Sequence, residues 1–289
     1  MTKAVVGQTS KAVCVGINKY RDNPLHGCIN DAMDMYSFLT NTIPKDNVRL
    51  LLDERATTEA IKSRAAWLRA GAVAGDHLVF HVSGHGTLMR RWCGNALGSR
   101  VEACLVPIDY DWSDEEKFIS DNDLDKIFGR LPPGVDLTLI FDVCHAGGMR
   151  DLSVPISTDP AELIKMVREE GRYTKVRYLA PPLDIEVRHR DRELSVRKLA
   201  SWLQPDYKEQ HRVLAACQEN QTAADSTFGM DGRPNGAFTW ALLQSLQQGE
   251  GRTWLQVMED AQKLLKDDGF VQVPVLRAPP AAINSYPLH

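Results

Sequence analysis

The chain has no apolar run long enough to span a bilayer, which excludes a helical membrane protein. Nor does its start carry the charged-then-apolar layout of a secretory signal, and Met1 to Ser10 reads as a short polar leader. Charge of one sign is also missing: 34 Lys and Arg face 38 Asp and Glu, for a formal net charge of -4. That balance excludes a general nucleic-acid or anionic-membrane binder. The six cysteines (Cys14, Cys28, Cys93, Cys104, Cys144, Cys217) lack the paired spacings of a zinc site or a disulfide scaffold. Several sit inside apolar runs as small hydrophobes, so a reducing, cytoplasmic setting is expected. The glycine-rich turns lack phosphate-loop spacing, which removes a nucleotide site. No internal repeat is present.

What is there alternates in type. Apolar runs at Ala12–Ile17, Val48–Leu52, Ala103–Ile108, Leu137–Val143 and Arg212–Cys217, with one ending at Ser83, read as buried strands. Helical periodicity predicts helices over Cys28–Leu39, Thr57–Leu68, Asp121–Phe128, Phe238–Leu246 and Trp254–Leu265. Leu88–Arg100 has no clear period and reads as a loop, and Gln272–Leu276 as a closing strand. Strands and helices in alternation predict an α/β fold with a mostly parallel sheet covered on both faces. Residues 151–205, rich in mixed charge and proline, read as a long irregular insertion. One domain is expected over 1–289: a first part to 150, the insertion, and a last part from 206.

In such a sheet, function gathers at the carboxyl ends of the strands. Two strands end there in glycine-flanked turns, Ser83-Gly84-His85-Gly86-Thr87 and Asp142-Val143-Cys144-His145-Ala146-Gly147. An imidazole beside a thiol makes a nucleophile and its base. The separation of His85 and Cys144 is near the roughly 50 residues of caspase-type signatures. Backbone N–H groups at Gly86 and Cys144 are candidates to hold an oxyanion. His145 points away from its neighbour on an extended exit and takes no base role. Cys217, in Ala216-Cys217-Gln218, reads as a core or pocket-wall cysteine.

These motifs resemble the metacaspase and bacterial caspase-like (orthocaspase) peptidases of family C14. Leu25-His26-Gly27-Cys28-Ile29-Asn30-Asp31-Ala32 is similar to their N-terminal signature. Leu105-Val106-Pro107-Ile108-Asp109, Ala215-Ala216-Cys217-Gln218 and Asn235-Gly236-Ala237-Phe238-Thr239 also match. The resemblance spans most of the chain and fails mainly between Asp151 and about Pro205. It implies a caspase–hemoglobinase fold with a mainly parallel six-stranded sheet, a His85/Cys144 dyad, and an acidic pocket walled by Cys28, Asp31, Ser83 and Asp142. Asp142, two residues before Cys144, points to the same side of its strand. Two converging carboxylates select a guanidinium or ammonium. The expected activity is therefore cleavage of protein substrates after Arg or Lys.

The same resemblance implies calcium ligands at Asp121, Asn122 and Asp151, with Asp123 adjacent. One family carboxylate is missing, Val101-Glu102 standing in its place, and another is an amide. The dyad chemistry requires no cofactor, and calcium is the one candidate metal. The insertion holds Arg168, Arg172, Lys175, Arg177, Arg188, Arg190, Arg192, Arg197 and Lys198. A protease selective for basic residues would cut itself there, or an upstream protease would cut it, and a latent form is expected. The expected partners are protein or peptide substrates, and a monomer is expected. Competing readings are a caspase-like interaction module with little hydrolysis, and a gingipain-like or legumain-like enzyme of the same clan.

Overall fold

The computed structural model describes residues 9–92, 99–129, 131–144, 174–182, 184–185, 211–218, 221–226, 232–249 and 251–287. Five parallel strands form the centre of its main sheet: β1 (Ser10–Gly16), β2 (Val48–Leu52), β3 (His77–Ser83), β7 (Asp136–Asp142) and β9 (Arg212–Ala215). An antiparallel β12 (Val275–Arg277) closes the sheet in the order β12-β9-β7-β3-β1-β2. This is the caspase-like six-stranded sheet expected from the sequence. The last strand begins later than the expected Gln272, whose side chain instead bonds the backbone of Ala216 and Ala224.

Alternate residues of each strand enter opposite apolar layers, which is why the central strands read as continuous apolar runs. One layer joins Val13, Phe80, Val82, Leu139 and Phe141 to Ile61, Ala65 and Leu68 of α2 (Thr58–Arg69), and to Leu124 and Phe128 of α3 (Asp121–Phe128). The other joins Cys14, Val79, Ile140 and Leu214 to Ala32, Met35 and Leu39 of α1 (Cys28–Leu39). Phe238 and Leu242 of α4 (Ala237–Leu246), and Val257 and Met258 of α5 (Trp254–Asp267), complete that second layer. Local signals set the helix starts: Thr57 caps α2, and Ser120 with Asp123 forms a capping box on α3.

Two small antiparallel sheets flank the carboxyl end of the main one. β4 (Gly86–Trp92), β5 (Ser99–Leu105) and β6 (Ile119–Ser120) make the first. The loop expected at Leu88–Arg100 is therefore strand on both sides of the undescribed 93–98, and the strand expected at Ala103–Ile108 starts and ends earlier. Met89, Ala103, Cys104 and Leu105 are buried, but the polar Thr87 and Glu102 are buried among them, so the sequence shows no continuous apolar run. β8 (Thr174–Val176), β10 (Ala224–Ser226) and β11 (Asn235–Gly236) make the second sheet. So part of the segment expected to be irregular is paired strand. Among the described residues no helix is long and apolar enough to cross a membrane.

Candidate active site

The register of the two central strands places the candidate pair at the same end of the sheet. Ser83 sits opposite Asp142 on parallel neighbours, so His85 and Cys144 lie two residues beyond matched positions. Parallel strands run about 4.8 Å apart, and the Gly84 N–H crosses that gap to the Asp142 carbonyl at 3.3 Å. The His85 ring is fixed from two sides. Its Nε2 donates to the Asn23 carbonyl at 2.7 Å, and the Tyr20 ring packs on it at a centroid distance of 4.6 Å. The Tyr20 hydroxyl accepts from the His85 backbone N–H and donates to the Val106 carbonyl, both at 2.9 Å. Asn23 holds a left-handed backbone (φ 55°), which asparagine tolerates better than most residues.

A carbonyl only accepts, so Nε2 carries the proton and Nδ1 keeps its lone pair. Nδ1 makes no hydrogen bond of its own. Burial pulls the His85 ring below its ordinary value, against the Asn23 and Arg177 backbone carbonyls that favour the charged form. The ring is neutral at pH 7 with its basic nitrogen free. Cys144 is fully buried, and its Sγ and that of Cys217 point to one acceptor, the Gln221 carbonyl, at 3.5 and 3.4 Å. Hydrogen bonding to Cys144, with burial, pushes the Cys217 thiol far above its ordinary value. Cys217 is thus a neutral wall beside Cys144.

The four residues expected to form an acidic pocket do converge, and the pocket is full. The side chain of Arg177, itself completely buried, occupies it. Arg177 Nη2 pairs with Asp31 Oδ2 at 2.7 Å and with Asp225 Oδ1 at 2.9 Å. Nη1 pairs with Asp142 Oδ1 at 3.0 Å and donates to Ser83 Oγ at 2.7 Å and the Asp142 carbonyl at 2.9 Å. The Cys28 thiol lies beside Ser83 and Arg177, and burial holds it well above its ordinary value. Each carboxylate keeps other donors: Thr239 N–H and Oγ1 for Asp142, Ser83 Oγ and the Gly236 N–H for Asp31, and the His26 and Gly27 N–H groups for Asp225. Burial still raises Asp31 to about 6 against the pull of Arg177.

The backbone of Arg177 is held as firmly as its side chain. β8 pairs antiparallel with β10, and the Arg177 N–H continues that pairing to the Ala223 carbonyl at 3.1 Å. The Arg177 carbonyl then accepts from the two N–H groups singled out in the sequence, Gly86 at 3.0 Å and Cys144 at 3.2 Å. The carbonyl of the Arg177–Tyr178 peptide bond is therefore held by the Gly86 and Cys144 backbone amides, as a bound peptide's would be.

Three contributors escaped the sequence reading. Asp225 lies in β10, after β9 and between Ala224 and Ser226, in a polar stretch that gives no sequence signal of its role. Gly236 faces the pocket, where a Cβ would meet the Asp142 carboxylate and the Arg177 guanidinium, so only glycine leaves room. Tyr20 carries no sequence signal of its role. The expected calcium ligands are brought together only in part, and Asp151 lies outside the described residues. Asp121 Oδ1 accepts from the Asn122 backbone, and the Asn122 side-chain N–H group donates to Glu102 Oε1 at 2.6 Å. An amide donor turned toward two carboxylates is the opposite of the oxygen lining that a hard cation takes. Among the described residues, no three His, Cys, Asp or Glu side chains are grouped to hold a metal.

Comparison with known proteins gives one answer. The family model for the metacaspase, peptidase C14 domain matches residues 10–153. Metacaspase-2 of Trypanosoma brucei brucei is 30% identical over 94% of this chain and 74% of its own length. Metacaspase-3 of Trypanosoma cruzi is 30% identical over 94% of this chain and 72% of its own. Metacaspase-1 of Mycosarcoma maydis is 30% identical over 88% and 67%. A solved structure from Geobacter sulfurreducens superposes with a TM-score of 0.64 at 20% identity, covering 97% of this chain and 98% of that one, a likeness of fold.

Proposed function

The chain belongs to the metacaspase family of C14 cysteine peptidases, and from that premise we propose an endopeptidase that cuts protein chains after arginine or lysine and is held latent by its own Arg177. The observation that carries the reading is Arg177 itself: its guanidinium meets Asp31, Asp142 and Asp225 while its carbonyl accepts from Gly86 and Cys144. Burying three carboxylates is costly unless a cation pairs with them, so the pocket selects a basic side chain. Arginine fits better than lysine, because two separate nitrogens are each used.

In this reading His85 Nδ1 accepts the Cys144 proton, and the Nε2–H bond to Asn23 steadies the imidazolium. The Cys144 sulfur attacks the carbonyl carbon of the basic residue, and the resulting oxyanion rests on the Gly86 and Cys144 N–H groups. Collapse breaks the C–N bond, His85 returns its proton to the leaving amine, and water then hydrolyses the thioester. The first substrate is the chain's own Arg177–Tyr178 bond, and its cleavage lets the covering segment leave. No step needs a metal, so activity is expected to persist in excess chelator. Loss that calcium restores would assign the Asp121 cluster a role.

Matched peptides differing only at the residue before the cut test the specificity. The expected order of kcat/KM is Arg above Lys, with Asp essentially uncut. A preference for Asp would overturn the pocket assignment, and no cleavage of any peptide or of the chain itself would favour an interaction module.

A further inference from the structure

The chain beyond Arg177 is recognised too. Tyr178 bridges Gly86 in parallel register: the Gly86 N–H donates to the Arg177 carbonyl, and the Gly86 carbonyl accepts from the Leu179 N–H, both at 3.0 Å. One glycine thus holds the carbonyl of the bond to be cut and the amide of the second residue after it. β4, which Gly86 opens, is an edge strand paired on its other side with β5, so the bound segment extends that sheet.

The side chains divide as an extended chain requires. Leu179 is 5% exposed and belongs to the apolar layer that holds Met89, Leu105 and Val106. Tyr178 is half-buried and packs against the opposite layer, which holds Cys144 and Ala216. Ala180, the next residue, is exposed.

We propose that the site recognises its substrate across the scissile bond, with a leaving-side subsite that takes the second residue after the cut. That residue needs a free backbone N–H for the Gly86 carbonyl and an apolar side chain of leucine size. The preferred substrate class is then an internal sequence with a basic residue before the cut and an aliphatic one two places after it. Because one peptide unit apart Gly86 serves both the oxyanion and this amide, a lost contact misplaces the reacting carbonyl and lowers kcat as well as raising KM. The inference rests on the reading of Cys144 as a peptidase nucleophile.

The test uses the full chain and internally quenched peptides containing Thr-Lys-Val-Arg-Tyr-Leu, with leucine replaced by alanine, aspartate, proline or N-methyl-leucine. N-methyl-leucine keeps the side chain and removes the donor, as proline removes it by its ring. Loss of kcat/KM is expected to be about tenfold for N-methyl-leucine, the scale of one hydrogen bond, and at least about tenfold for aspartate, the scale of a lost buried side chain. Equal rates across the series, with Asp in place of Arg still uncut, would overturn the subsite and leave the peptidase reading standing. Failure to cut any Arg peptide or the chain itself would overturn both. In the chain itself, Leu179→Asp is expected to slow self-cleavage while Leu179→Ile preserves it.

Discussion

Replacing Arg177 by glutamine removes the only guanidinium bound to Asp31, Asp142 and Asp225 among the described residues, all four side chains being completely buried. Breaking a buried ion pair by deleting one partner costs about 3–5 kcal/mol. The lower end applies here for two reasons. Each carboxylate retains at least two other hydrogen-bond donors. Asp31 already sits at about 6, so it relieves the uncompensated charge by taking a proton near neutral pH. A loss of about 3 kcal/mol lowers Tm by roughly 6–12 °C in a chain of this size. The assay is calorimetry in a Cys144→Ala background, which prevents self-cleavage from confusing the comparison. Arg177→Lys is expected to lose less, because one cation remains. A peptide ending in Thr-Lys-Val-Arg, added in excess, is expected to restore part of the loss by binding the emptied pocket. A variant melting within a degree of its parent and unmoved by the peptide would refute the seating of Arg177 in the pocket.

Three further outcomes follow from the same geometry. Asp225→Asn removes one carboxylate from Arg177 Nη2 and is expected to lower kcat/KM for Arg peptides at least about tenfold; equal kinetics would exclude Asp225 from the pocket. As pH falls through about 6, Asp31 takes up a proton and the pocket loses charge, while burial lowers His85 and so delays its protonation. The acid limb of kcat/KM for Arg peptides is therefore expected near 6, and a flat profile down to pH 5 would contradict this. The folded pKa of Asp31 is raised from 3.8, so its contribution to stability is present below 3.8 and is lost as pH rises through about 6. Cys217→Ala is expected to leave self-cleavage in place, since that thiol is held protonated, whereas Cys144→Ala abolishes it.

The main sheet and its helices were legible because their strands are buried on both faces and their helices carry a clear apolar stripe. His85, Cys144, Asp31 and Asp142 were legible for a related reason: they sit at or near strand ends and a helix start, positions that local pattern defines. The β4–β5 pairing was not, since Thr87, Arg90, Arg91, Arg100 and Glu102 interrupt the apolar residues and leave no periodic run. Asp225 joins Asp31 only through the topology, as strand order brings residues far apart in sequence to one edge. Arg177 was one of ten Lys and Arg residues in the charge-dense segment 151–205. Its distinguishing mark is local: Thr174–Val176 before it pairs as strand, and Leu179 after it buries an aliphatic side chain.

The claim on which the rest depends is that the Arg177–Tyr178 bond is presented to Cys144 as a substrate. Intact-mass and N-terminal analysis of the full chain beside Cys144→Ala tests it most directly. The account predicts a fragment ending at Arg177 and another beginning at Tyr178 in the parent, with the variant whole. An uncut parent, a cut only at another basic residue, or identical fragments from both chains would contradict it.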